Sequence, residues 1–214
     1  MTRDILTLRN GENIVVEFLS QNRYRVMGNN ATIRWTGKGD MKTYFINAKL
    51  VDPEAGTIRE GSLCIENGVI AFVDAGPIAL PEGAEVVDCR GKYLAPGIVD
   101  LGVKVCEPGE RHKESYRSAG QAAAAGGVTT IITRPDTEPA IDSPETLEFV
   151  TRRANEAAPV HVVPTAALTK GRAGREMTEI GFLMDAGAAA FTDCDHVVTN
   201  TKVFSRALTY ARSL

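Results

Sequence analysis

Apolar residues in the first ninety positions come in short β-branched and aromatic runs split by turn residues. Residues 13–19, 23–27 and 31–35 are three such runs. Gln21-Asn22, Gly28-Asn29-Asn30 and Gly37-Lys38-Gly39 separate or follow them as turn signals. Residues 43–49, 61–66, 69–73 and 84–88 read as further strands, and Asp52-Pro53-Glu54-Ala55-Gly56 as a turn. Asn67-Gly68 lies between two of these runs and predicts a tight hairpin, because both turn residues tolerate positive φ.

From Pro96 the pattern changes to strand, helix, strand, helix. Residues 98–105 form a short apolar run ended by Glu107-Pro108-Gly109. An Ala-rich helix over 114–125 is closed by Gly126-Gly127, and residues 128–133 give a β-branched strand. Ser143 caps a helix that opens with Pro144 and runs to about residue 155. Gly174-Arg175-Glu176 opens another helix, ended by Gly187, and Thr199 or Asn200 caps the last, to about residue 212. Strands begin near Ile98, Val128, Val160 and Ala188, a spacing of about 30 residues that fits βαβ units. Right-handed crossovers then make the strands parallel. Four such units are half of a (β/α)8 barrel, which needs about 250 residues.

The fold class is therefore α/β, a small N-terminal β-sandwich followed by about half of a TIM-type β/α barrel. The expected divisions are a β-rich extension over 1–40, a sandwich portion over 41–95 and the partial barrel over 96–214. An open half-barrel exposes strand edges and an inner face, for which Val103, Val105, Ile131, Val163 and Phe191 are the candidates. Self-association would cover that face.

Composition narrows the functional classes. A net charge of −3 gives no electrostatic case for nucleic acid. No run approaches the ~18 apolar residues of a membrane span, and no signal peptide is visible, so the cytoplasm is the expected compartment. The four cysteines, Cys64, Cys89, Cys106 and Cys194, form no CxxC pair.

Residues 93–137 carry a family resemblance. The frame consists of Pro96, Gly97, Asp100, Glu107, Pro108, Gly109, Lys113, Glu114, Gly126, Gly127, Thr129, Thr130, Pro135 and Thr137. It resembles the dihydroorotases of the amidohydrolase superfamily. Their first barrel strand reads Pro-Gly-x-Ile-Asp-x-His-x-His-x-Arg-Glu-Pro-Gly, and their second ends in Met-Pro-Asn-Thr. The resemblance covers about residues 41–214 and implies a sandwich completed by strands from a C-terminal end. It also implies that Gly102 and Lys104 occupy the two metal-binding His positions, Cys106 the substrate-binding Arg position and Asp136 the substrate-binding Asn position. Asp193, at the end of the fourth strand, is the one possible remnant of a metal ligand, and the other ligands of the family lie on later strands.

These departures bear on function. Gly102 has no ligand atom, and Lys104 puts a cation where a cation would bind. At 4 Å two unit charges repel by about 4 kcal/mol at an ordinary effective dielectric. Asp136 has the wrong sign for a substrate carboxylate. The resemblance therefore implies a catalytically inactive dihydroorotase-like protein of pyrimidine synthesis, a structural partner of aspartate transcarbamoylase. The alternatives are an active cyclic-amide hydrolase using zinc, and a truncated gene product without function.

Other residues have competing readings. Arg134 reads as a solvated charge, as does His112, and His161 as a core or rim residue. Cys194-x-His196 with Asp193 is a conceivable metal set, although tight zinc sites need three or four placed ligands. The basic loop Lys170-Gly171-Arg172-Ala173-Gly174-Arg175 could hold an anion on its backbone N–H groups or be a solvated loop. Cys106 could be a nucleophile, but nothing near it in sequence supplies a base.

Overall fold

A computed structural model describes residues 5–6, 15–18, 24–28, 31–34, 42–66, 69–76 and 78–214. The expected turns at Gln21-Asn22, Asn29-Asn30, Gly37-Lys38-Gly39 and Asn67-Gly68 lie outside the described residues. The chain forms two compact units, Met1–Val99 with Ala123–Thr129, and Asp100–Ala122 with Thr130–Leu214.

The first unit contains β1 (Ile5–Leu6), β2 (Val15–Phe18), β3 (Tyr24–Gly28), β4 (Ala31–Arg34), β5 (Lys42–Asp52), β6 (Thr57–Glu66), β7 (Val69–Asp74), β8 (Glu85–Asp88) and β9 (Tyr93–Pro96). Their order is β4-β3-β2-β1-β9-β5-β6-β7, with β8 also on β5. β5 organises this unit. Its register against β6 shifts between Phe45 and Ala48. Before the shift, residues 43–46 pair in parallel with β8; after it, Lys49 and Leu50 pair in parallel with β9. Strands that change partners at a bulge make the corners of sandwiches. Asn47 sits at the bulge with φ 56°, and its amide donates to Asp88 Oδ1 at 2.9 Å. Asparagine tolerates this left-handed backbone better than most residues.

The core of this unit brings together Phe45, Ala48, Leu50, Leu63, Ile65, Cys89 and Leu94. Burying each large side chain contributes about 1.5–3 kcal/mol. The turn after β5 forms as expected, with Asp52 Oδ1 accepting from the N–H groups of Glu54 and Ala55 at 3.1 and 3.0 Å. β9 is a strand that the sequence pattern does not announce, because four residues ending in proline give no alternation.

The barrel elements follow, with most of their residues in the second unit. These are β10 (Ile98–Val103), α1 (Tyr116–Ala125), β11 (Val128–Thr133), α2 (Pro144–Ala157), β12 (His161–Pro164), α3 (Ile180–Asp185) and α4 (Thr201–Ala211). The sheet order is β10-β11-β12, and β11 pairs with β12 in parallel from Thr130↔His161 to Thr133↔Pro164. The fourth strand is reduced to one parallel bridge, Ala166↔Phe191, flanked by the bonds Ala166 N to Ala190 O and Thr192 N to Ala166 O, both 2.9 Å. The fold is α/β, a β-sandwich portion followed by a partial β/α barrel. No helix among the described residues is long and apolar enough to cross a membrane.

Caps fall where the sequence places them. Ser143 Oγ accepts from Thr146 N, with Pro144 next to it in the first turn. Asn200 Oδ1 accepts from Lys202 N at 3.1 Å and Val203 N at 3.4 Å. α3 opens at Ile180 and not at Gly174, because Thr169 and Met177 first form an antiparallel bridge around a 3-10 turn over Lys170–Arg172. The expected exposed set is also corrected. Val105 and Ile131 are each only 1% exposed, and Val163 and Phe191 are half-buried. Ile131 lies on the central strand, flanked on both edges, and Val105 lies beyond the end of β10. The exposed apolar side chains of this sheet are Ile98, Val99 and Leu101 of β10 itself.

Candidate functional site

In a β/α barrel the reacting groups sit at the C-terminal ends of the strands. Gly102, Lys104 and Cys106 lie at and beyond the end of β10, and Arg134 and Asp136 follow β11. Gly102 has φ +82° with open space around it. This left-handed backbone departs from extended geometry one residue before β10 ends, where a regular strand would point residues 102 and 104 the same way. A side chain at 102 would also be strained whatever the room.

Lys104 is not an unopposed cation. Its Nζ lies 3.2 Å from Asp136 Oδ2. Arg134 is not a solvated charge either: its Nη2 donates to the same Oδ2 at 2.8 Å, and its side chain is half-buried. Asp136 itself is only 2% exposed in its side chain. Burial pulls the Arg134 guanidinium pKa down, but the Asp136 carboxylate, with Cys194 and Asp195, outweighs this and holds it above its ordinary value. From Arg134 the pairing continues to Asp195 Oδ1 at 3.7 Å, and Asp195 also pairs with Arg172.

Asp193 turns inward. Its Oδ1 accepts from Thr169 N at 2.9 Å, and its Oδ2 from Thr169 Oγ1 at 2.5 Å. Both oxygens thus anchor the hairpin over residues 169–177. His196 points its Nδ1 at Arg172 O, 3.0 Å away. The Asp193, Cys194 and His196 set is therefore drawn to different partners, and no group of three or more such side chains among the described residues could hold a metal. His112 and His161 are both exposed.

The basic loop has an internal anion. Gly171 N donates to Asp142 Oδ2 at 2.7 Å, and Gly174 N to Thr169 Oγ1 at 2.8 Å. Lys170 pairs with Glu176 at 2.5 Å. Cys106 is half-buried at the rim.

Glu107 has a role that residue-type reasoning missed. It is 3% exposed. Its Oε2 accepts from Tyr116 N at 3.1 Å, satisfying the first turn of α1, and its Oε1 accepts from Arg153 Nε of α2 at 2.7 Å. Arg111 Nε stands 3.4 Å from the same oxygen. One buried carboxylate ties the end of the first strand to two helices. The available signal was the Glu-Pro-Gly frame itself, with a basic residue four positions on. Gly109 completes the frame. At φ +101°, a Cβ there would stand 2.6 Å from Glu138 Cβ and from Glu138 O.

The residues present do not fit the family's zinc. Gly102 offers no donor and the wrong backbone, Lys104 offers an ammonium held by Asp136, and Asp193 has both oxygens engaged. What remains is the frame of an amidohydrolase-type barrel whose strand ends are closed by ion pairs. The Dihydro-orotase-like family matches residues 91–214, and the chain belongs to that family.

Its relatives include the dihydroorotase of Syntrophus aciditrophicus, 38% identical over 174 residues, covering 81% of this chain and 41% of that protein. The dihydroorotase of Solibacter usitatus is 41% identical over 167 residues, covering 78% and 38%. The chain thus spans about two fifths of the length of these curated relatives. Among solved structures, the L-hydantoinase of Arthrobacter aurescens shares the fold with a TM-score of 0.60 and 24% identity, over 70% of this chain and 32% of that one. A D-hydantoinase follows at a TM-score of 0.51 and 28% identity, over 60% and 28%.

Proposed function

We propose that the chain is a catalytically inactive dihydroorotase-like protein that acts by association, as a structural partner of aspartate transcarbamoylase in pyrimidine synthesis. One observation carries this reading: the Lys104 ammonium stands 3.2 Å from Asp136, at the strand ends where the family's metal and substrate contacts belong. A cation fixed there opposes a second cation, and Asp136, buried and engaged by Lys104 and Arg134, is not free to contact a substrate. The retained frame, with Glu107 at its centre, supports a scaffold kept for its shape. The exposed Ile98, Val99 and Leu101 supply an apolar surface for a second copy or for the transcarbamoylase.

The test has three readouts on the purified chain. Elemental analysis is expected to give far less than one zinc per chain. Dihydroorotate turnover is expected to be undetectable with zinc added. Tagged protein is expected to retain the transcarbamoylase of its own cell through a sizing column. Stoichiometric zinc with turnover would establish the active hydrolase instead, and failure to retain the transcarbamoylase would remove the partner role.

A further inference from the structure

Five charged side chains from four segments alternate in sign across the barrel's strand ends. The order is Lys104, Asp136, Arg134, Asp195, Arg172, with separations of 3.2, 2.8 and 3.7 Å along its first three links and a closer final pair. Lys104 belongs to the end of the first strand, Arg134 and Asp136 to the second, Arg172 to the hairpin after the third, and Asp195 to the fourth. Arg172 is also tied to the fourth strand by Nε, 3.3 Å from Asp193 O.

We propose that this ladder is the cross-link that holds the strand ends in register, and that Lys104 and Asp136 act as one coupled unit. In this reading, which rests on the absence of a zinc site at Gly102 and Lys104, ion pairing does the tying that a shared metal would do.

The burial argument favours a matched pair over two independent losses. Asp136 is 2% exposed in its side chain, and Lys104 and Arg134 converge on the same oxygen, Oδ2. Its other oxygen, Oδ1, is buried and has no hydrogen-bond partner among the described residues. A carboxylate so placed depends on those cations, since an uncompensated buried charge is strongly destabilising. Lys104 is 53% exposed. On its own it would be an ordinary surface lysine worth little. Its value comes from the buried partner. The wrong-sign residue at 136 and the cation at 104 therefore make sense together and not singly.

A double-mutant cycle on the full chain tests this, read by thermal melts of the wild type, Lys104→Met, Asp136→Asn and the double variant. Lys104→Met is expected to lower Tm by about 3–6 °C, since it leaves the buried carboxylate with Arg134 as its one cation among the described residues. The double variant is expected to lose clearly less than the sum of the two single losses, because removing the carboxylate relieves what removing the lysine exposed. Lys104→Arg, which keeps the cation, is expected to melt within 1–2 °C of the wild type. Additive losses, or a Lys104→Met melt equal to the wild type, would overturn the ladder. If a single variant fails to fold, Lys104→Arg decides: a wild-type melt supports the ladder and a large drop overturns it. Zinc content and partner retention do not enter this readout, so a failed ladder and a failed partner role are told apart.

Discussion

Glu107 shows how much of this protein turns on single carboxylates. It is buried, and it accepts from the Tyr116 amide and from Arg153. Arg153 is held above its ordinary pKa first by that hydrogen bond and then by the charge of Glu107. Removing Glu107 takes the acceptor from the Tyr116 amide and from Arg153, and since Arg153 is a quarter exposed and also pairs with Glu156, the loss is that of a buried hydrogen-bond acceptor, about 1–3 kcal/mol. Glu107→Ala should therefore cost about that much in urea unfolding, while Glu110→Ala, on an exposed neighbour, should cost clearly less. Equal effects from the two would show that Glu107 is not a tie point. The thiols offer a second check at this scale. Burial pushes Cys89 up to about 11 and raises Cys64, whereas Cys106 and Cys194 are half-buried. At pH 8 a thiol reagent should modify Cys106 and Cys194 in the folded chain and reach Cys64 and Cys89 only after denaturation. Rapid reaction of all four would contradict the placement of Cys64 and Cys89.

Among the elements, the helices are set by their caps and the hairpin by its anchors. Asn200 satisfies two N–H groups of α4, so Asn200→Ala should cost about 1 kcal/mol, and Asn200→Asp or Asn200→Ser should largely keep the stability. Guanidinium melts of the three variants would show it, and an unaffected Asn200→Ala would refute the cap. β10 is the element the sequence describes least well. Its apolar run predicts a strand but does not say which of its side chains are covered, and Ile98, Val99 and Leu101 are exposed, Leu101 at 74%. The proposed self-association through β10 predicts that Leu101→Lys shifts the protein toward monomer in size-exclusion chromatography with light scattering. A wild type that is already monomeric at high concentration would end that proposal.

For the whole molecule, the question is whether metal chemistry can be restored by residue type alone. Gly102→His with Lys104→His puts back both first-strand imidazoles, but residue 102 sits at φ +82° and Asp193 remains bonded to Thr169. A non-glycine residue held in such a region costs on the order of 1–3 kcal/mol. The double variant should therefore bind zinc no tighter than micromolar by competition with a chromophoric chelator. Nanomolar binding would show that the strand end re-forms around the metal.

The linear sequence by itself determined the order of elements, because periodicity, caps and glycine stops are local. Ser143, Pro144, Asn200 and Gly187 act within a few residues of themselves, and each falls at or next to the predicted boundary. Sequence also carried the family resemblance, and with it the expectation of departures at Gly102, Lys104, Cys106 and Asp136, since these are matters of residue type and spacing. It could not assign partners to the charges. Arg134 and Asp136 are two residues apart, but Lys104 meets Asp136 across 32 positions, and Thr169 meets Asp193 across 24. Such pairings depend on strand order and burial, and burial is what turns a surface lysine into a counter-ion. Tertiary structure alone therefore decided that Arg134 is paired, that Asp193 is an anchor and no free ligand, that the Gly171 amide already holds Asp142, and that Ile131 is covered while Leu101 is not.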